Sequence, residues 1–185
     1  MHVSKQSRIG HSGQPIRTQN ALKWSENPYI SLSKSLTSSC RSPMAEAVFK
    51  HKVHELGLDA HFSEIDSFGT SGWHIGESPD SRSASTCRKH GVPVNHAAQQ
   101  ITPKDFARFD YIIGMDELNK GDLMHMKPRD SSAQVAMFGK WRTNKDFAVI
   151  VLDPYYGGRD GFETNFRQIS HFSEEFLKQE LGVEI

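Results

Sequence analysis

The sequence predicts a single α/β domain built around a mostly parallel sheet. Short apolar runs, typical of buried strands, alternate with segments in which apolar residues recur every three to four positions, as on one face of a helix. Strands that alternate with helices favour a parallel sheet, because each helix carries the chain back to the side where the previous strand began. The length of 185 residues, 36% of them hydrophobic, is that of one domain with one working core.

The clearest predicted element is a helix over residues 42–57. Ser42 can cap its start, Pro43 suits its first helical position, and Gly57 can end it. The apolar stripe between these signals consists of Ala45, Val48, Phe49, Val53 and Leu56. This spacing predicts that one face of the helix is buried.

The remaining elements follow from the same patterns. In chain order they are a strand over 62–70, a helix over 80–91, a helical turn opened by Thr102 and Pro103, a strand over 109–115, a helix over 116–126, strands over 134–138 and 147–152, and a helix over 161–182. Asp105 stands three positions after Thr102, a spacing typical of a helix start. Cys87 is predicted to face the core from its helix.

Composition excludes several classes of function. The 22 basic and 22 acidic side chains balance, which removes the broad charge attraction that nucleic acids or anionic membranes require. No apolar stretch is long enough to span a bilayer, and the first residues lack a secretory apolar core. The two cysteines suit a reducing compartment, and no acid or cysteine completes a metal shell around His51 and His54. We therefore expect a cytoplasmic protein that binds no nucleic acid, membrane or metal.

The chain changes character near Cys40. Residues 1–39 carry five basic side chains against one acid, together with nine serines and few large aliphatic residues. Such a composition is typical of loops or disorder. We expect residues 1–28 to form an atypical, disordered segment and residues 29–185 to form the domain.

Two places in this pattern suggest a phosphate site. Arg41 and Ser42 stand at the start of the best helix, where backbone N–H groups, the helix dipole and a guanidinium favour an anion. Asp153 follows the apolar run 147–152, and an acid at the mouth of a phosphate pocket can protonate a leaving oxygen.

Several motifs together resemble one family over residues 40–185. They are CRSPMAEAVF, SGWHIGESPDSR, KHG, NHAAQQITPKDF, FDYIIGMDELN, DPYYGG and FETNF, and in this order they are similar to the low-molecular-weight protein tyrosine phosphatases. The resemblance implies a three-layer α/β/α domain around a four-stranded parallel sheet. It also implies hydrolysis of phosphotyrosine proteins or small aryl phosphates through a cysteinyl-phosphate, without a cofactor, by a monomer or weak dimer.

The resemblance also implies roles for individual residues. Arg41 binds the phosphate, Ser42 orients the loop and favours the thiolate, and Asp153 is the general acid. Trp73, Tyr155 and Tyr156 wall the slot for the aromatic ring. Ser67 and His96 support the loop by hydrogen bonds.

The chain departs from the family at the nucleophile. The family's loop is C-x5-R-S, and counting back from Arg41 places Ser35 where the cysteine belongs. A serine hydroxyl ionises far above a thiol, so we expect catalysis to be severely impaired. Thr37 and Ser38 replace the loop's glycine and asparagine, so Ser38 takes a substrate-binding position with altered hydrogen bonding. Cys40 aligns with the family's second loop cysteine and cannot replace the nucleophile.

The segment before the loop departs as well. Residues 29–34 should form a strand in the middle of the sheet, yet they alternate apolar with polar residues, and Ser31 and Ser33 would be buried there. One hypothesis is that an atypical exon or splice junction supplied residues 1–39. The functional alternatives are a working phosphatase with another N-terminus, a pseudophosphatase that binds phosphate or phosphotyrosine, and an unstable product.

Overall fold

The computed structural model describes residues 29–34, 40–70, 75–154 and 158–185, with only the backbone for 29–34, 158 and 159. The strands are β1 (Tyr29–Lys34), β2 (Glu64–Gly69), β3 (Tyr111–Gly114) and β4 (Gln134–Met137). The α-helices are α1 (Arg41–Glu55), α2 (Ser81–Lys89), α3 (Glu117–Met126) and α4 (Gly158–Leu181). Single 3-10 turns cover Asp59–His61, Asp105–Ala107 and Phe138–Trp141.

The described strands form one parallel sheet in the order β2-β1-β3-β4. This confirms the predicted α/β class and parallel sheet. The strand expected over residues 29–34 is central, since Leu32 stands opposite Ser67 of β2 on one side and Ile113 of β3 on the other. The burial of Ser31 and Ser33 concerns side chains outside the described part and stays a prediction.

Helices cover both faces of the sheet. On one face α1, α2 and α4 pack together, and on the other α3 packs against β3 and β4. Successive residues of β3 divide between the layers: Tyr111 and Ile113 join the larger core on the α1 side, whereas Ile112 joins the smaller core on the α3 side. The layers follow the three-layer arrangement that the resemblance implies. In the described part of the chain, no helix combines the length and apolar character that crossing a membrane requires.

Most predicted elements are confirmed within a few residues. Gly57, Gly91 and Gly182 each adopt a positive φ just after a helix, a conformation that glycine adopts without strain. At the next predicted turn, the Thr102 backbone N–H and hydroxyl both donate to the Asp105 carboxylate, at 2.7 and 2.8 Å. A 3-10 turn over Asp105–Ala107 follows.

The predicted cap of α1 is wrong. Helix α1 begins at Arg41, so Ser42 lies inside its first turn, and Cys40 takes the N-cap position without a side-chain hydrogen bond to the helix. The first turn also contains no acidic residue. The positive end of this helix is therefore left without a capping side chain.

The strand predicted over residues 147–152 is also wrong. These residues form an irregular segment with several bends, and side chains instead of a neighbouring strand bind its carbonyl oxygens. Gln168 donates to Ala148 and Ile150, at 2.7 and 2.9 Å, and Asn165 donates to Leu152 at 2.9 Å. Both amides belong to α4, so polar side chains of a helix replace the hydrogen bonds of a sheet.

Gly139 allows this segment to pass close to the 3-10 turn Phe138–Trp141. A Cβ at Gly139 would overlap the carbonyl oxygen of Val149, and backbone is the group that would have to move.

Gly139→Ala is therefore expected to lower the free energy of unfolding by about 1–3 kcal/mol, measured by urea titration. Gly121→Ala is the matched control, because that position faces open space in α3 and the change should be neutral or stabilising by up to about 1 kcal/mol. Equal stabilities of the two variants would contradict the close approach.

Candidate active site

Arg41 connects three parts of the fold. It is the first residue of α1, its side chain is only 3% exposed, and its Nη1 donates to Asp116 Oδ2 at 2.7 Å and to the carbonyl oxygen of Val151 at 2.6 Å. Asp116 directly precedes α3, and Val151 lies in the segment 147–152 before α4. A buried guanidinium requires such partners, because an unpaired buried charge is strongly destabilising.

Two buried polar atoms beside this ion pair lack a partner among the described residues. They are Arg41 Nε and Ser42 Oγ, and neither makes a hydrogen bond within that part of the chain. Buried polar atoms are nearly always satisfied, so each exception needs an explanation. Both atoms can donate, and both lie in the uncapped first turn of α1, where an anion is favoured. The arrangement suits an oxyanion that accepts from both.

Asp116 serves two elements at once. Its Oδ1 accepts from the Asn119 backbone N–H at 2.8 Å and caps α3, while its Oδ2 binds Arg41. The backbone between them is fixed too, since the Val151 N–H donates to the Met115 carbonyl at 2.8 Å. The Asp116 carboxylate and the Val151 carbonyl, which both bind Arg41, are therefore held in a fixed position relative to each other.

Asp153 lies two positions beyond the carbonyl that binds Arg41. Its residue is half-buried, and the segment before it is held by Asn165 and Gln168 of α4. The predicted general acid is therefore two residues away from a carbonyl that binds the predicted phosphate arginine.

Ser67 and His96 come together as predicted, and a third residue joins them. Glu46 Oε2 accepts from Ser67 Oγ at 2.7 Å and lies 2.9 Å from His96 Nδ1, and Ser67 Oγ lies 3.4 Å from the same nitrogen. Burial would raise the pKa of Glu46, but hydrogen bonds from His96, Lys50 and Ser67 outweigh it and hold the pKa below its usual value. The network ties α1 to β2.

A family model described as "Low molecular weight phosphotyrosine protein phosphatase" matches residues 34–184. The chain belongs to this phosphatase family. The family member of Saccharomyces cerevisiae is 51% identical over 158 residues, which cover 84% of this chain and 98% of that protein. The human member is 40% identical over 146 residues, which cover 78% and 90%. The crystal structure of Primo-1 gives a TM-score of 0.76 at 36% identity, with coverage of 83% of this chain and 99% of that one.

Part of the site implied by phosphatase membership lies outside the described residues. The positions concerned are Ser35, Ser38, Trp73, Tyr155 and Tyr156. Their roles remain predictions. Arg41, Ser42, Asp153, Ser67 and His96 are described: Arg41 and Ser42 lie in the first turn of α1, and Ser67 lies beside His96. Their roles at a phosphate site stay predictions as well.

Two residues that hold Arg41 and Ser67, Asp116 and Glu46, were not predicted from the sequence. A signal existed for Asp116, because an acid directly after a buried strand and before a helix can cap that helix. Glu46 also carried a signal, since it stands among apolar residues of a buried helix face. Neither signal identifies the partner, which comes from a distant segment.

Glu46, Asp66 and His96 bring potential metal-ligand atoms within 4.8 Å of one another. The same atoms already have protein partners. Asp66 accepts from Gln99 Nε2 at 2.6 Å and from the Ser67 backbone N–H at 2.8 Å, while Glu46 binds His96, Ser67 and Lys50. The cluster is satisfied as a hydrogen-bond network between α1, β2 and the segment that carries His96 and Gln99.

Neither described cysteine is an exposed thiolate. Cys87 is buried as predicted, and burial raises the pKa of its thiol to about 12. Cys40 is buried as well, its carbonyl accepts from Ser83 Oγ at 2.8 Å, and its thiol hydrogen-bonds to Asp80. Helix α2 thereby holds the residue next to Arg41 in place.

Asp80 caps α2, and the low pKa of its carboxyl allows a pH-dependent test of this cap. Its carboxylate accepts from the backbone N–H groups of Arg82 and Ser83. The Arg82 side chain is the largest cause of a pKa near 2, against 3.8 normally, and burial opposes this shift. Because the folded pKa is depressed, the stabilisation is complete above about pH 4 and is lost as the pH falls toward 2.

We expect Asp80→Ala to lower the free energy of unfolding by about 1 kcal/mol at pH 7, because the cap is lost. Asp80→Asn keeps an acceptor but lacks the charge, so its deficit relative to the natural chain should shrink as the pH falls from 7 to 3. Urea unfolding at several pH values measures both. A deficit of Asp80→Asn that grows toward low pH would contradict the assignment.

Proposed function

We propose that this chain binds phosphotyrosyl ligands at the start of α1 and hydrolyses them far more slowly than its family's chemistry allows. The observation that supports binding is the pair of buried, unpartnered donors, Arg41 Nε and Ser42 Oγ, in an uncapped helix turn. A phosphoryl group supplies the acceptors that these atoms lack. It also supplies the negative charge that the helix dipole favours.

Arg41 is held in a way that suits this role. Nη1 carries the bonds to Asp116 and Val151, whereas Nε has no partner in the described part of the chain and remains for a phosphoryl oxygen. A side chain already fixed by two bonds loses little further freedom when a ligand arrives. In this proposal Asp153 protonates the phenolic oxygen when the ester bond breaks.

The nucleophile is the weak part of the site. In the family's chemistry, sulfur forms a bond to phosphorus while the bond from phosphorus to the phenolic oxygen breaks. Ser35 would have to lose its hydroxyl proton first, and residues 35–41 contain no histidine, lysine or carboxylate that could accept it. Cys40 is buried against Asp80, which supports the proposal that it does not replace the missing thiol.

The alternative is that residues 1–39 are an atypical N-terminal exon of a gene whose other product is a working phosphatase. The charge boundary near Cys40 favours it. Transcript reads across the codons of residues 39–41 test it, and continuous support for the sequence as written would count against it. Both proposals keep the protein a cytoplasmic monomer or weak dimer.

Hydrolysis of p-nitrophenyl phosphate tests the nucleophile. Ser35→Cys should raise kcat by at least about 10³-fold, since it supplies a group that ionises near neutral pH. Ser39→Cys is the matched control, because it adds a thiol within the same loop at a position not aligned with the nucleophile. A natural chain as fast as Ser35→Cys would overturn the proposed impairment.

Binding of phosphotyrosine tests the proposed ligand binding at the start of α1. We expect a fluorescent phosphotyrosine peptide to bind the natural chain and inorganic phosphate to compete with it. Arg41→Lys should weaken binding about 10- to 100-fold, because it removes a forked, charged donor. Arg88→Lys, on the exposed surface of α2, should leave the affinity unchanged. Absence of binding by a natural chain that unfolds cooperatively would contradict the proposal.

A further inference from the structure

Several large hydrophobic side chains are exposed in the described part of the chain. Among them, Ile75, Leu118 and Leu152 lie in loops or in a first helical turn, with exposures of 61%, 75% and 63%. Single exposed leucines are ordinary on protein surfaces. Two leucines beside the same binding side chain require a more specific explanation.

Leu118 and Leu152 are placed by the residues that hold Arg41. Leu118 comes two positions after Asp116, and Leu152 comes directly after Val151. Both Asp116 and the Val151 carbonyl bind Arg41 Nη1. The hydrogen bond from the Val151 N–H to the Met115 carbonyl brings the two segments side by side.

The backbone beneath both leucines is fixed. Asp116 caps the turn of α3 that carries Leu118, and Asn165 donates to the carbonyl of Leu152 at 2.9 Å. Rigid apolar side chains lose little freedom on binding, so contact with them contributes more to affinity than contact with a mobile loop.

We propose that Leu118 and Leu152 form an apolar rim that selects phosphotyrosyl peptides with a large apolar residue within two positions of the phosphotyrosine. This inference rests on the proposed function. It names the class of ligand that the site takes. A phosphate bound at Arg41 brings the adjoining peptide residues over the edge where the rim lies, because each residue of an extended peptide advances about 3.3 Å.

Charge around the rim favours the same class. Glu117 adjoins Leu118. An acidic residue beside the phosphotyrosine would meet a like charge there, whereas an apolar side chain would cover the two leucines and remove them from water. A small aryl phosphate has no flanking residue and would not reach the rim.

Fluorescence anisotropy with the natural chain tests the rim. Three phosphotyrosine peptides differ only in their flanking residues, which are leucine, alanine or aspartate. We expect the leucine peptide to bind about tenfold more tightly than the alanine peptide, and the aspartate peptide to bind most weakly. The double variant Leu118→Ser/Leu152→Ser should abolish the preference for leucine and leave the affinity for the alanine peptide and for phenyl phosphate unchanged.

Met124→Ser is the control, because Met124 is an exposed apolar residue further along α3. It should keep the preference of the natural chain. Equal affinities for the leucine and alanine peptides would overturn the rim while leaving phosphotyrosine binding intact. A double variant that changes only the oligomeric state, measured by sedimentation, would show that the leucines serve a second copy of the chain. No binding of any phosphorylated ligand would defeat the proposed function and this inference with it.

Discussion

The ion pair between the buried Arg41 and the partly buried Asp116 is the interaction on which the site depends. A guanidinium at 3% exposure is stable only with partners, and here these partners come from the start of α3 and from the segment before α4. One nitrogen therefore joins three segments that are far apart in sequence. Both bonds fall on Nη1, and among the described residues nothing accepts from the buried Nε. The arginine is thus fixed through one nitrogen while Nε keeps a donor for a ligand.

The surrounding structure keeps these segments in register. On one side, Glu46 binds Ser67 and His96 and ties α1 to β2. On the other side, amide side chains of α4 bind the segment 147–152, which precedes Asp153, and the missing side chain of Gly139 allows Val149 of that segment to approach closely. Stability and site geometry thus rest on the same contacts, so a change in either support is expected to move Arg41.

Apolar periodicity in the sequence predicted the helices and most strands, including the first helix and the strand that ends at Gly114. The roles of Arg41 and Asp153 at a phosphate site stay predictions. Apolar character failed at residues 147–152, where side chains of α4 bind the backbone, because it does not reveal the hydrogen-bond partner. Asp116 and Glu46 were missed for a related reason, since their partners lie far away along the chain. Ser42 was mistaken for a cap because Pro43 after it imitates a helix start.

A crystal structure of the natural chain with orthophosphate tests the central claim most directly. The account predicts a phosphate oxygen about 2.7–3.1 Å from Arg41 Nε, a second near Ser42 Oγ, and an unchanged bond from Nη1 to Asp116. A structure in which Nε binds a protein carbonyl, with phosphate absent from the start of α1, would contradict it.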